Sequence, residues 1–213
     1  MTTKGPAKDL VVLVADKNTE FALKGLLTRR THALRIRPIT FDVFVHIERD
    51  PGCLRRAPDF LRPHSTRYNH ALVMFDRDGC GQEHKERVDL EQQVEEQLAQ
   101  SGWDNRSAAV VLDPELEIWV WSDSPHVETT LGWSNRVPGL RSWLVNSGLL
   151  GESDVKPRDP KLAVEEALRV ARKPRSSNLY QQLALSVGFE SCSDAAFQKL
   201  KKLLNTWFPA VST

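Results

Sequence analysis

The sequence predicts an α/β fold, in which a mainly parallel sheet is flanked by helices and followed by a C-terminal helical extension. Three short apolar runs, at residues 10–15, 71–75 and 108–112, end in polar or turn residues. Continuous apolar runs are typical of strands that are buried on both faces, as in a parallel sheet. Segments with helical spacing of apolar residues follow the runs and can supply that cover. We expect all three runs among the inner strands.

The segments between these runs predict helices and at least one more strand. Residues 16–19 offer turn and N-cap chemistry for a helix that extends to about residue 30. Residues 34–47 alternate imperfectly between apolar and polar and indicate one or two strands, and Pro38 favours an edge or a bend. Residues 88–99 carry an apolar stripe among acidic and amide residues, which indicates an amphipathic helix.

The pattern beyond residue 125 is helical. We predict an α/β domain at residues 1–124 and a helical extension at residues 125–213 that packs against the sheet edge. Residues 173–177 form a basic, serine-containing break that suits either a surface turn or a phosphate contact. The predicted helices of the extension are short ones around residues 126–133 and 140–147, and longer ones at residues 161–172, 177–187 and 193–207.

Composition narrows the class of protein. The 213 residues carry a net charge of +1, so a surface for nucleic acid has to come from local clustering of cations. The three cysteines are odd in number and far apart, which indicates a reduced cytoplasmic setting. No apolar run approaches membrane-spanning length, and residues 1–9 lack the apolar core of a signal peptide. We therefore expect a cytoplasmic protein without a membrane partner.

The second apolar run ends in an acidic turn. Asp76 and Asp78 stand two residues apart, so their side chains can project in the same direction. Ligands of open α/β folds gather at the carboxyl ends of the strands, and Mg²⁺ takes one or two carboxylates together with water and phosphate oxygens. Gly79 and Gly81 would let the chain turn away and leave the pocket open. The same residues also suit a plain polar turn after a core strand.

Acidic residues follow the other two runs as well. Asp16 and Glu20 come after the first run, where helix capping and compensation of the helix dipole are the ordinary interpretation. Glu115 and Glu117 follow the third run, and Pro114 predicts that both lie in the first turn of a helix. Acids in a first turn need no further function. Their recurrence at three junctions of one sheet edge nevertheless indicates a cation site.

Basic residues precede the acidic strand. Residues 49–67 include Arg55, Arg56, Arg62 and Arg67. A solvated loop and helix face is the common interpretation of such a stretch. The functional alternative is a phosphate-contacting surface beside the metal pocket, in which these four arginines bind nucleic acid.

The order of these elements resembles a Toprim domain, which occurs in topoisomerases, primases and overcoming-lysogenization-defect nucleases. More closely, the chain resembles small stand-alone Toprim-like proteins of bacterial phage-defence islands. The shared features are the apolar strand that runs into residues 76–80, the element at residues 114–119, and a helical tail that contains residues 177–180 and 196–197. The resemblance covers most of residues 10–208.

The resemblance implies a metal-dependent nuclease of anti-phage defence. Asp76 and Asp78 would hold Mg²⁺ or Mn²⁺, which polarises the scissile phosphate and lowers the pKa of an attacking water. Glu115 or Glu117 would complete a second ion site. Nucleic acid and a protein from the same defence operon are the expected partners.

One position departs from the family pattern. The family has Glu-Gly after the first apolar strand, with the Glu in acid/base chemistry or metal binding, whereas this chain has Ala15 and Asp16. Asp16, or Glu20 from the following helix, would then join Asp76 and Asp78 as the base or as a further ligand. If neither does, the site binds metal without cutting, and the protein is a non-catalytic sensor or adaptor subunit of a defence complex.

Overall fold

The computed structural model of the protein describes residues 8–188 and 192–210, so the ends of the predicted domain and extension, at residues 1–7 and 211–213, lie outside it. Its centre is a sheet of four parallel strands in the order β2-β1-β3-β4. The strands are β1 (Lys8–Val14), β2 (Phe41–Val45), β3 (Tyr68–Asp76) and β4 (Ser107–Leu112). The helices are α1 (Lys17–Arg29), α2 (Thr31–Leu34), α3 (Arg49–Leu61), α4 (Arg87–Leu98), α5 (Pro125–Leu131), α6 (Leu140–Asn146), α7 (Pro160–Ala171), α8 (Ser177–Ser186) and α9 (Ala195–Trp207).

Apolar residues on alternating sides of the strands divide the core into two layers. In β1, Leu10, Val12 and Val14 face one layer, while Val11 and Leu13 face the other. The first layer includes α1 and the C-terminal helices, and the second includes α3 and α4. All five residues are inaccessible to solvent. The parallel α/β architecture predicted from the apolar runs is therefore confirmed.

The prediction of three inner strands is wrong for β4. β1 and β3 are central, but β4 lies at the edge of the sheet. Its outward N–H groups find acceptors in α4, because Glu95 Oε1 accepts from Ala109 N and Glu91 Oε1 accepts from Val111 N, each at 3.0 Å. Lys199 of α9 pairs with both carboxylates. This cover explains why an edge strand has the apolar composition of an inner one.

The opposite edge is formed by β2. The stretch at residues 34–47 contributes this single strand, and all five of its residues are only partly buried. The basic stretch at residues 49–67 begins with α3, so its first arginines are presented by a helix.

The segment beyond residue 125 is helical, as predicted, and it shares the core of the sheet. α8 packs along α1, and α9 lies against β4. Leu179 and Leu183 of α8, with Leu200 and Leu204 of α9, join the buried cluster that contains one face of β1. These helices therefore cover one face of the sheet. None of the helices in the described ranges is long and apolar enough to cross a bilayer.

Glu91→Ala should destabilise the protein by about 1–3 kcal/mol, because it leaves the buried Val111 N–H without its acceptor and removes a partner of Lys199. Glu91→Gln keeps an acceptor oxygen and should cost less. The matched control is Glu96→Ala on the exposed side of the same helix, which should change the free energy of unfolding by less than about 0.5 kcal/mol. Urea denaturation measures these differences. Equal losses in the two alanine variants would show that α4 does not protect the edge.

Candidate metal centre

Each of the four strands delivers an acidic side chain to the same edge of the sheet. Because all strands are parallel, their carboxyl ends meet there. Asp76 is the last residue of β3, Asp16 follows β1, and Glu115 and Glu117 follow β4. Asp50, in the first turn of α3, follows β2. The acids predicted at three junctions are thus joined by one at the fourth.

Three of these acids form a compact group, which we call the acid triad: Asp76, Glu115 and Glu117. One carboxylate oxygen of each lies within 4.8 Å of the other two. The side chains of Glu115 and Glu117 are only 8% and 3% exposed, and Asp76 is partly buried. Glu115 has an extended backbone and precedes a short 3-10 helix, Leu116–Trp119, which contains Glu117. The prediction that both glutamates lie in a first helical turn is therefore correct only for Glu117.

Each carboxylate of the acid triad is held by a hydrogen bond through one oxygen. The second oxygens of Asp76 and Glu117 receive no hydrogen bond from the described residues, and that of Glu115 has the Lys161 ammonium at 3.4 Å. Supporting donors of this kind orient the ligands of metal sites, and carboxylate oxygens suit hard divalent cations. The acid triad therefore fits a divalent cation. The three hydrogen bonds run from Leu116 N to Asp76 Oδ1 at 3.0 Å, from Lys161 N to Glu115 Oε1 at 3.0 Å, and from Tyr180 OH to Glu117 Oε1 at 2.5 Å.

Asp50 ties the start of α3 to the acid triad. Its Oδ1 accepts a hydrogen bond of 2.8 Å from the backbone N–H of Asp76. Burial raises the pKa of Asp50, and the negative charge of Asp16 raises it further. The hydrogen bond fixes the backbone at the end of β3, so Asp50 helps to orient Asp76.

The electrostatics of the site favour uptake of positive charge. Burial raises the pKa of Asp76 well above its ordinary value of 3.8, and the neighbouring acids, led by Asp50 and Glu117, raise it further. Burial and the charge of Glu117 also raise the pKa of Glu115. Carboxylates that repel one another in a buried site favour protons or a cation between them.

Two cations from the C-terminal helices partly offset this charge. Lys161 Nζ lies 3.4 Å from Glu115 Oε2, and Arg175 Nη2 lies 2.6 Å from Glu117 Oε1. Burial disfavours the charged form of both cations, but the acidic groups beside them raise the pKa of each. The site therefore combines acids from the sheet with cations from the extension.

The two acids predicted near β1 have different surroundings. Asp16 caps α1, with its Oδ1 2.8 Å from Thr19 N, and its charge contributes to the raised pKa of Asp76. Asp16 therefore both caps α1 and contributes negative charge to the acidic edge. Glu20 forms an ion pair of 2.6 Å with Lys24 and is not part of the acid triad.

Asp78 also stands outside the acid triad. Its side chain is exposed, and its backbone N–H donates to Pro114 O at 3.0 Å. Gly79 and Gly81 follow with φ angles of 83° and 81°, a region that favours glycine. The chain turns away from the pocket here, as predicted, and a role for Asp78 as a metal ligand stays a prediction.

Two of the four predicted nucleic-acid-binding arginines lie in the middle of α3. The guanidinium of Arg55 lies against the turn after β3, since a Cβ added at Gly81 would come within 2.8 Å of Nη2. Arg56 is exposed beside it and lies 3.8 Å from Asp59. Arg55 thus places positive charge next to the acidic turn.

The other two arginines lie near the amino ends of the strands, on the side of the sheet away from the acid triad. Arg62 follows the last residue of α3, about 18 Å from Asp50 along the helix axis. The carbonyl oxygen of Arg67 accepts from the N–H of Lys8, the first residue of β1. The prediction of one basic surface beside the metal pocket therefore does not describe Arg62 and Arg67.

Some residues of the site were not predicted from the sequence. Asp50 obeys the same rule as the other acids, because it follows a parallel strand, and correct placement of β2 would have found it. Lys161, Arg175 and Tyr180 reach the acid triad only through the folding of the extension onto the sheet. Arg175 belongs to the basic break for which a phosphate contact was one prediction, and it pairs with Glu117 instead.

Comparisons of the chain with family models, with curated proteins and with solved structures found no match. The likeness to Toprim proteins therefore stays a prediction from the motifs.

The raised pKa values of Asp76, Asp50 and Glu115 predict that these three acids contribute less stability to the metal-free protein as pH rises. Asp76, Asp50 and Glu115 bind protons more tightly in the folded protein than in the unfolded chain, so the stability they contribute is complete below their ordinary values of 3.8 and 4.5 and is lost above them. Asp76→Asn cannot become charged, and its stability relative to wild type should increase from pH 4 to pH 8. Urea denaturation in chelator across this range measures the difference.

Asp9→Asn is the control of opposite sign. Arg37 lowers the pKa of Asp9 to about 2, so Asp9 stabilises the protein above pH 3.8 and the variant should be less stable than wild type at neutral pH. A stability curve for Asp76→Asn that runs parallel to that of wild type would show that Asp76 is not under repulsion.

Proposed function

We propose that the protein is a divalent-metal-dependent nuclease of the Toprim type that acts in bacterial anti-phage defence. The observation that supports this proposal most strongly is the convergence of acids from four parallel strands at one sheet edge, where the acid triad fits a divalent cation. The order of the acidic elements along the chain is that of the Toprim-like pattern in the sequence.

In this proposal the acid triad holds Mg²⁺ or Mn²⁺ through the second oxygens of Asp76 and Glu117 and through Glu115 Oε2, which would exchange the Lys161 ammonium for the ion. Bound there, the ion would polarise a scissile phosphate and lower the pKa of an attacking water. Asp16 is favoured over Glu20 as the base, because Glu20 is paired with Lys24. Among the described residues the hydrogen bonds to Asp16 from Thr19 meet on Oδ1, which leaves Oδ2 to accept a proton.

A nucleic acid phosphodiester is the proposed substrate. Arg55 supports this choice, since its guanidinium lies beside the acidic turn and can pair with a phosphate of a strand that enters the site. A protein of the same defence operon is the proposed partner, and the cytoplasm is the proposed location.

A non-catalytic sensor or adaptor is the second candidate, and the ion pairs of the site favour it. Lys161 and Arg175 already partner Glu115 and Glu117 without a metal ion. In that case the acids anchor the helical extension, and the protein acts through its partner in the defence complex. The departure at Ala15 and Asp16 from the Glu-Gly pattern agrees with this candidate.

Binding of Mn²⁺ should raise the melting temperature of wild type by about 5 to 10 °C at a hundredfold excess over the dissociation constant. Asp76→Asn should abolish the shift, because it removes one of the three carboxylates of the acid triad. Asp78→Asn on the same turn should keep most of the shift if the acid triad alone holds the ion, and should lose it if the exposed Asp78 is a further ligand. No shift in wild type would contradict the metal site.

A cleavage assay separates the two candidates once metal binding is established. Supercoiled plasmid, single-stranded DNA and RNA are incubated with Mn²⁺, with Mg²⁺ and with chelator. The nuclease proposal expects metal-dependent cleavage that Asp76→Asn and Asp16→Asn abolish. Metal binding without cleavage of any of these substrates would favour the adaptor.

The arginines should contribute unequally to nucleic acid binding. Replacement of Arg55 and Arg56 by Ala should weaken binding and reduce the slope of log K against log salt by about one per lost phosphate contact. The pair Arg62→Ala and Arg67→Ala removes the same charge near the amino ends of the strands and should leave the slope within about 0.5 of the wild-type value. Fluorescence anisotropy at several salt concentrations measures both. Equal losses in the two double variants would indicate attraction by net charge alone.

A further inference from the structure

Two hydrogen-bond donors meet on one oxygen of Glu117. Tyr180 OH lies 2.5 Å and Arg175 Nη2 lies 2.6 Å from Glu117 Oε1. The Glu117 side chain is 3% exposed, so water does not provide an alternative set of donors. Hydrogen bonds to a buried carboxylate are among the strong ones, because the acceptor is charged.

The two donors also hold each other. Arg175 Nε donates to the Tyr180 hydroxyl oxygen at 3.2 Å, and Arg175 Nη1 pairs with Glu165. The Tyr180 hydroxyl accepts from Arg175 while it donates to Glu117, so hydrogen bonds on two sides hold it in place. Glu117 therefore faces a pair of donors whose positions are fixed on several sides.

Both donors come from the helical extension. Arg175 lies in the connection between α7 and α8, 58 residues beyond Glu117, and Tyr180 lies in α8, 63 residues beyond it. The Tyr180 ring is part of the buried core, so its hydroxyl is placed by packing. The sheet supplies the carboxylate, and the extension fixes its orientation.

We infer that Tyr180 and Arg175 are positioning residues of the metal site, which hold Glu117 through Oε1 so that its other oxygen is presented to a cation shared with Asp76 and Glu115. This inference rests on the proposed metal site. It makes the extension a component of that site, because loss of these donors would free Glu117 to rotate. Removal of supporting partners of this kind costs metal sites about 10- to 100-fold in affinity.

The chain contains a matched control for the hydroxyl. The chain has two tyrosines, and the other one, Tyr68, also donates to a carboxylate, that of Asp42. Tyr68 lies at the amino end of β3, whereas the acid triad lies at the carboxyl ends of the strands. Tyr68→Phe and Tyr180→Phe each remove one such hydrogen bond and leave the ring in place. A merely structural role predicts that the two variants behave alike.

The experiment measures the dissociation constant of Mn²⁺ from the electron paramagnetic resonance signal of the free ion, with stability measured separately by urea denaturation in chelator. Tyr180→Phe should weaken Mn²⁺ binding at least about tenfold, and Arg175→Met should do the same, with partial recovery in Arg175→Lys. Tyr68→Phe should bind Mn²⁺ as wild type does, whatever stability it loses.

The outcomes separate this inference from the function on which it rests. Absence of Mn²⁺ binding by wild type would overturn the metal site and the positioning role together. Wild-type affinity in folded Tyr180→Phe and Arg175→Met would overturn the positioning role alone and leave the metal site intact. Glu166→Gln on the same helix, whose carboxylate pairs with Arg169, keeps every contact of Arg175 and Tyr180 and should change the affinity less than about twofold, whereas a loss as large as that of Arg175→Met would overturn the assignment.

Discussion

Parallel pairing of all four strands is the constraint on which the rest of the structure depends. A parallel sheet requires connections that return over its faces, and these connections supply the helices that bury β1 and β3 on both sides. Because the strands run in the same direction, all of their carboxyl ends lie along one edge of the sheet. Acidic residues that are up to 101 positions apart in sequence, from Asp16 to Glu117, therefore become neighbours without any motif that contains them all.

The convergence of acids creates an electrostatic cost that the C-terminal helices reduce. Buried carboxylates raise one another's pKa, and Lys161 and Arg175 bring positive charge to them. The acidic edge and the C-terminal helices depend on each other. The ion pairs complete the acidic edge, and they also hold the start of α7 and the connection to α8 against the sheet. The ion pairs that offset the charge of the acidic edge are therefore the same ones that hold the extension against the sheet.

Burial explains what could be predicted from the sequence. β1, β3 and β4 were found because strands covered on both faces need apolar residues at successive positions. β2 is partly exposed along its whole length, so its pattern is weak and Asp50, which depends on its position, was missed with it. The triad acids at the ends of β3 and β4 were predicted by the strand rule, whereas Tyr180 was not, because its contact with Glu117 spans 63 residues of chain. No local pattern contains such a contact, and the same is true of the α4 carboxylates that make β4 an edge.

The α4 carboxylates that accept hydrogen bonds from β4 also limit how copies of the protein can associate. An open sheet edge is a template for strands of other molecules. At β4 the outward N–H groups already have acceptors in Glu91 and Glu95, and an incoming strand would have to expel a buried carboxylate together with its Lys199 partner. The β4 edge is therefore protected against the addition of a strand from another molecule.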